Sequence, residues 1–119
     1  MQGQLKLSQE IQSCIENSNA CHAVCTITVN DCLQKGGAHS DAVHIRLLLD
    51  CAEICQTNTN FMLRSSDFNM QVCNTCAMIC DACAENCEKI TNDIQMKSCA
   101  ESCRKCAQSC RKMSAQRAA

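Results

Sequence analysis

Five cysteines fall within fifteen residues in the stretch CNTCAMICDACAENC, residues 73–87. Their separations of three, four, three and four are the a/d rhythm of a heptad, normally written in leucine and isoleucine. The same pairs recur in CHAVC (21–25), CAEIC (51–55) and CAESCRKCAQSC (99–110), and Cys14 and Cys32 bring the total to 15 cysteines in 119 residues. One or two such residues would read as small core hydrophobes. Fifteen would not, because cysteine buries less apolar area than leucine and is a mediocre helix former. The count points to a use for the sulfur.

Three uses can be weighed. Positions i and i+4 of one helix hold their Cβ atoms about 5–6 Å apart, and a disulfide wants about 3.8 Å. Intrahelical CxxxC pairs are therefore poor disulfides, and an odd total leaves a thiol over. Structural zinc closes a tetrahedron of four ligands, and a continuous ladder is more than that requires. Iron–sulfur spacings belong mainly to loops wrapped around a cluster. Soft thiolates in pairs or threes suit Cu(I). Charge favours the same ion, since buried thiolates without cations would be prohibitive. When each sulfur bridges two ions and each ion takes two sulfurs, the ratio approaches one to one and the charge cancels. Zinc at that loading would leave a large positive excess. Multiple Cu(I) ions per chain are the expected cargo. An iron–sulfur or thiol-redox protein, or a zinc-thiolate structural module, is the alternative.

The sulfurs must be positioned by helices. Proline is absent, glycine occurs only at Gly3, Gly36 and Gly37, and no strand-like alternation is present. Four segments are predicted: about Leu5 to Lys35, stopped by Gly36-Gly37; Ser40, as N-cap, to about Arg64; Ser65 or Ser66, as cap with Asp67 in the first turn, to about Ile90; and, after Thr91-Asn92-Asp93, a last segment to about Gln116. Short connections make neighbours antiparallel. The expected fold is all-α, an antiparallel up-down-up-down four-helix bundle with a cysteine-lined core, in one domain over residues 1–119.

At about 100° per residue, Cys14, Cys21, Cys25 and Cys32 lie within about 40° of one another on the first helix. Cys99, Cys103, Cys106 and Cys110 form a similar stripe on the fourth. Cys73, Cys76, Cys80, Cys83 and Cys87 form a wider band on the third. On the second, Cys51 and Cys55 continue a stripe through His44, Asn58 and Met62. Glu85, Glu88, Lys89, Glu101, Arg104, Lys105 and Arg111 lie mostly off the sulfur faces, so the thiols are expected to point inward.

Composition excludes other classes. A net charge of -1 gives no basic footprint for nucleic acid, and two aromatics, Phe61 and Phe68, are too few for base stacking. No stretch could span a bilayer. MQGQLKLSQE lacks a basic region followed by an apolar one, so a cytoplasmic location is expected. No Gly-rich phosphate loop or Ser/His/Asp set is present, and no enzymatic activity is expected.

With CHAVC, CAEIC, the 73–87 run and CAESCRKCAQSC on four helices, the sequence resembles the bacterial copper storage proteins, specifically the cytosolic type without a signal peptide. The resemblance covers nearly the whole chain. It implies Cu(I) storage inside a cysteine-lined four-helix bundle and a homotetramer of such bundles.

The antiparallel topology gathers Cys32, His39, His44, Cys87 and Cys99 at one end. It gathers Cys14, Met62, Met70 and Met113 at the other. His44 lies on the sulfur stripe and is a candidate mouth ligand. His39 lies in the adjacent loop and is a second candidate. His22 is one residue off the stripe and reads as a surface residue. Met96 lies on the stripe near the histidine end. Asn58 faces inward among sulfurs and needs hydrogen-bond partners.

Overall fold

The computed structural model describes residues 7–118. The first helix, α1 (Gln9–Lys35), begins where Ser8 turns extended and its side chain accepts from the Ile11 amide at 3.2 Å. The predicted start at Leu5 lies outside the described residues. The helix stops at Gly36, whose φ of +70° is a backbone region that favours glycine, and whose N–H reaches the Cys32 carbonyl at 3.1 Å. A single 3-10 turn (Gly37–Ser40) leads to α2 (Ala42–Leu63). Ser40 ends that turn rather than capping the helix. The cap is Asp41, whose carboxylate accepts from the Val43 amide at 3.1 Å and the His44 amide at 3.4 Å.

The third helix, α3 (Asn69–Glu88), starts later than the serines suggest. Ser65 sits at φ +53° and the Ser66 hydroxyl accepts from the Phe68 amide at 3.1 Å, so both build the turn. Phe68 takes the N-cap place without a side-chain bond, and Asp67 precedes the helix. The last helix, α4 (Ile94–Ala118), follows the Thr91-Asn92-Asp93 turn. Asp93 is its cap, accepting from the Met96 amide at 3.0 Å. The other oxygen of the same carboxylate meets Lys35 Nζ at 3.0 Å and His39 Nε2 at 2.8 Å.

Each helix packs on the next, and α4 returns to α1, so the contacts run in a ring. This is the expected up-down-up-down four-helix bundle. Its interior is sulfur: all fifteen cysteines are buried at 0% exposure. Leu48, Met62, Met96 and several alanines fill the remaining space. Partly buried Ile11, Ile15, Val24, Val29, Ile45, Ile54, Ile79 and Ile90 pack around it. Small residues inside and branched ones at the seams let the helices come close while the seams still bury apolar area. Arg104 spans from α4 to Asp81 at 3.2 Å and Glu88 at 2.9 Å on α3, and Arg111 also pairs with Asp81.

Asp93 joins three elements through one carboxylate. Hydrogen bonds from the Met96 amide, then His39 and Lys35, hold it well below the usual carboxylate range. Asp93→Ala removes the cap of α4 together with both cross-links. Urea unfolding at neutral pH is expected to show a loss of about 1–2 kcal/mol. Asp93→Ser, which keeps a capping oxygen, should recover part of it.

Candidate metal centre

The helical stripes set the sulfurs in register across the tube. Near one end, Cys25, Cys83, Cys99 and Cys103 converge. Next come Cys21, Cys25, Cys51 and Cys103, then Cys21, Cys55, Cys80 and Cys106. Two three-sulfur groups complete the series: Cys76, Cys106 and Cys110, and then Cys14, Cys73 and Cys110. Within each group all sulfurs lie within 4.8 Å of one another. Shared members, among them Cys21, Cys25, Cys103, Cys106 and Cys110, make the groups one continuous path. Among the described residues, only Cys32 and Cys87 of the cysteines stand outside these groups.

The thiols are free and none is joined in a disulfide. Neighbouring sulfurs sit at hydrogen-bond separations. Cys51 to Cys80 is 3.6 Å, Cys55 to Cys80 3.6 Å, Cys21 to Cys103 3.7 Å and Cys25 to Cys99 3.8 Å. With metal–sulfur bonds of about 2.3 Å, three sulfurs around one ion stand about 4.0 Å apart. The metal-free tube is therefore close to the spacing a three-coordinate ion needs, and loading requires shifts of tenths of an ångström.

Electrostatics bind these thiols together. Hydrogen bonding to Cys103 pushes Cys21 down, and the same contact pushes Cys103 up. Cys106 likewise raises Cys80 and lowers Cys76. Each sulfur that ionises obliges its neighbour to keep a proton. A cation is what allows both to give theirs up.

At the methionine end the sequence places Asn58 among sulfurs, and the structure supplies its partners. Its Nδ2 donates to Ser18 Oγ at 3.1 Å and to Cys110 Sγ at 3.4 Å, with Cys14 Sγ at 3.8 Å. Its Oδ1 accepts from Cys73 Sγ at 3.3 Å. The amide is fully engaged and closes the last three-sulfur group. Ser18 was missed in the sequence although it sits on the α1 stripe, four residues after Cys14. Met62 and Met113 are buried beyond. Of the two aromatics near this end, Phe68 is 62% exposed, and Phe61 is half-buried under Arg64.

At the other end His44 is buried and its Nε2 lies 3.4 Å from Cys32 Sγ. His39 is engaged differently, with Nε2 on the Asp93 carboxylate. It could meet a metal only through Nδ1 or after Asp93 lets go. His22 is half-buried rather than on the surface, and its Nδ1 lies 2.8 Å from the Ala52 carbonyl, tying α1 to α2. Met96 is buried near this end. A depression of about 720 Å³ opens here, with Cys87, Glu88, Asp93, Lys97 and Glu101 in its walls. Two of its carboxylates are already paired, Glu88 with Arg104 and Asp93 with Lys35 and His39, and Glu101 and Lys97 complete its charged wall.

The protein matches the family model described as copper storage protein over residues 7–115. The chain belongs to the copper storage protein family. The crystal structure of a protein from Nitrosospira multiformis is 49% identical, with a TM-score of 0.85, covering 91% of this chain and 97% of that one. The Cu(I)-bound copper storage protein BsCsp3 is 34% identical, with a TM-score of 0.83, covering 89% and 99%. A cytosolic copper storage protein from Streptomyces lividans, with five coppers, is 28% identical, with a TM-score of 0.84, covering 90% and 93%. An uncharacterised cysteine-rich protein of Bacillus subtilis is 35% identical over 71 residues, or 60% of this chain and 66% of that relative's length.

Burial, with Asp31 and Asp93 nearby, pushes the Cys32 thiol up to about 11 from an ordinary 9.0. Between those values the unfolded chain has lost the proton and the folded chain keeps it. The unfolded state then binds fewer protons, so stability falls as pH rises. Metal-free reduced protein is expected to show pH-independent stability for this group below pH 9. Above it, stability should fall by about 1.4 kcal/mol per pH unit for each thiol so held. Anaerobic urea unfolding at pH 8 and pH 10.5 checks this.

Proposed function

We propose that the protein sequesters many Cu(I) ions inside its bundle and performs no turnover, in the service of copper homeostasis and detoxification. The carrying observation is the continuous path of fully buried, unoxidised sulfurs in which neighbouring groups share members. Tetrahedral zinc sites that are closed need four ligands of their own. Sharing suits a soft monovalent ion with two or three thiolates, and it lets charge cancel ion by ion. All fifteen cysteines are assigned as ligands, with His44 as a mouth ligand and His39 as an outer one.

Residues 1–119 are taken as one domain, since the family match spans 7–115. A cytosolic setting follows the Streptomyces relative, described as cytosolic. No helix of the described residues is long and apolar enough to cross a membrane. A homotetramer is proposed from the family resemblance. Exposed Ile27, Leu33, Val43, Leu49 and Leu63 on α1 and α2 offer apolar surface for it.

Anaerobic titration with Cu(I) against a competing chelator is expected to saturate on the order of 15 ions per chain, by charge matching. Saturation at one or two ions would sink the storage reading. Saturation by Zn(II) near four, without Cu(I) uptake beyond that, would favour the zinc-thiolate alternative.

Copper cannot readily cross packed helix walls, so it must pass an end. The His44 end has the depression, the carboxylates and the polar turn, whereas Met62 and Met113 fill the other. His44→Ala is expected to slow uptake from a small chelator and to cost at most one ion of capacity. Met62→Leu should do neither. The opposite pattern in stopped-flow uptake would place the mouth at the methionine end.

A further inference from the structure

The two ring nitrogens of His44 have different neighbours. Nε2 faces Cys32 Sγ at 3.4 Å, and Nδ1 lies 2.6 Å from Oδ1 of Asn86, a half-buried residue of α3. A carboxamide oxygen only accepts, so in this pair Nδ1 carries the proton. A neutral imidazole has one such proton, which leaves the Nε2 lone pair directed at Cys32.

We infer that Asn86 is a positioning residue for copper uptake, locking His44 in the Nδ1–H tautomer with Nε2 turned to Cys32. The result is a nitrogen–sulfur pair standing ahead of the all-sulfur groups. The inference rests on the reading that copper passes the His44 end.

Cys32 belongs to none of the multi-sulfur groups. The only described hydrogen-bond partner of its thiol is the imidazole. One soft sulfur and one borderline nitrogen hold Cu(I) less firmly than thiolates do, so an ion captured here has a downhill path to the interior. Capture is ligand exchange without redox change. Cu(I) leaves its carrier's donor atoms, bonds form to Nε2 and Cys32 Sγ, and the Cys32 proton goes to water. In the other tautomer Nε2 would carry hydrogen, and the lone pair needed for the first bond would point at α3. Asn86 prevents this from a helix that does not carry the histidine. That explains a polar residue placed beside, and not on, the α3 sulfur stripe.

The test uses the full chain, metal-free and reduced, with 15N-labelled histidine. Long-range proton–nitrogen spectra report which nitrogen carries hydrogen. The native protein and Asn86→Asp, which keeps an acceptor, are expected to show Nδ1–H for His44. Asn86→Leu is expected to show a tautomer mixture with unchanged helical circular dichroism. In stopped-flow uptake from a coloured Cu(I)–chelator complex, Asn86→Leu should be slower by about tenfold or more, and Asn86→Asp should recover most of the rate. Nε2–H in the native protein overturns the inference. A native-rate Asn86→Leu beside a slow His44→Ala overturns the role of Asn86 alone and leaves the choice of end standing. A native rate in His44→Ala overturns the choice of end and, with it, any part for Asn86 in uptake.

Discussion

Fifteen thiols can share one dry core only while that core has almost no net charge. Every other feature answers to this constraint. Without metal, the protons stay on: adjacent sulfurs at 3.6–3.9 Å exchange hydrogen bonds, and ionisation of one raises the next. With metal, each monovalent ion replaces about one proton, so the tube keeps the same charge while its contents change. A divalent ion at equal loading would break the balance, and bare thiolates would bear the full cost of desolvation. Ion choice thus follows from where the ligands are put as much as from their softness.

The same constraint shapes packing. Cysteine and alanine side chains bury little apolar area, so the interior alone is a weak core. Isoleucine and valine at the helix seams supply the larger contacts, and Leu48 with three buried methionines fills the ends and gaps. The ion pairs from Arg104 and Arg111 to α3 are partly exposed and contribute little each. Their geometry matters more: they hold α3 and α4, the two helices richest in sulfur, at fixed register.

The sulfur path was legible in the sequence because a helix converts spacing into direction with almost no freedom. Seven, four and seven residues can only place Cys14, Cys21, Cys25 and Cys32 on one face. The ends were less legible because several polar side chains compete for each cap. Ser40, Asp41, Ser65, Ser66, Asp67 and Asp93 all qualify by residue type, and turn geometry decides among them. Ser65 sits at positive φ, which removes it, whereas Asp93 wins because the chain beyond Asn92, also at positive φ, aims its carboxylate at the Met96 amide. Pairwise polar contacts were invisible for a related reason. Asn86 and Ser18 look unremarkable alone, and only the packing of a second helix brings His44 to one and Asn58 to the other. His39 shows the converse. Its place beside the mouth was readable, but its partner Asp93 is 54 residues away.

The two ends of the tube are built on opposite principles. At the methionine end a single buried amide, that of Asn58, joins Ser18, Cys73 and Cys110, so one side chain ties three helices' polar groups together inside the core. At the histidine end, satisfaction comes from groups that solvent also reaches. Lys35 and His39 share one carboxylate oxygen, and the depression beside Cys87 is walled by charged side chains. Exposed ion pairs break and re-form cheaply, whereas a buried amide network does not. Asp93 also starts α4, the helix that carries Cys99 two turns further in. The carboxylate that joins Lys35 and His39 is thus also the one that fixes the first turn of the helix placing Cys99, Cys103, Cys106 and Cys110.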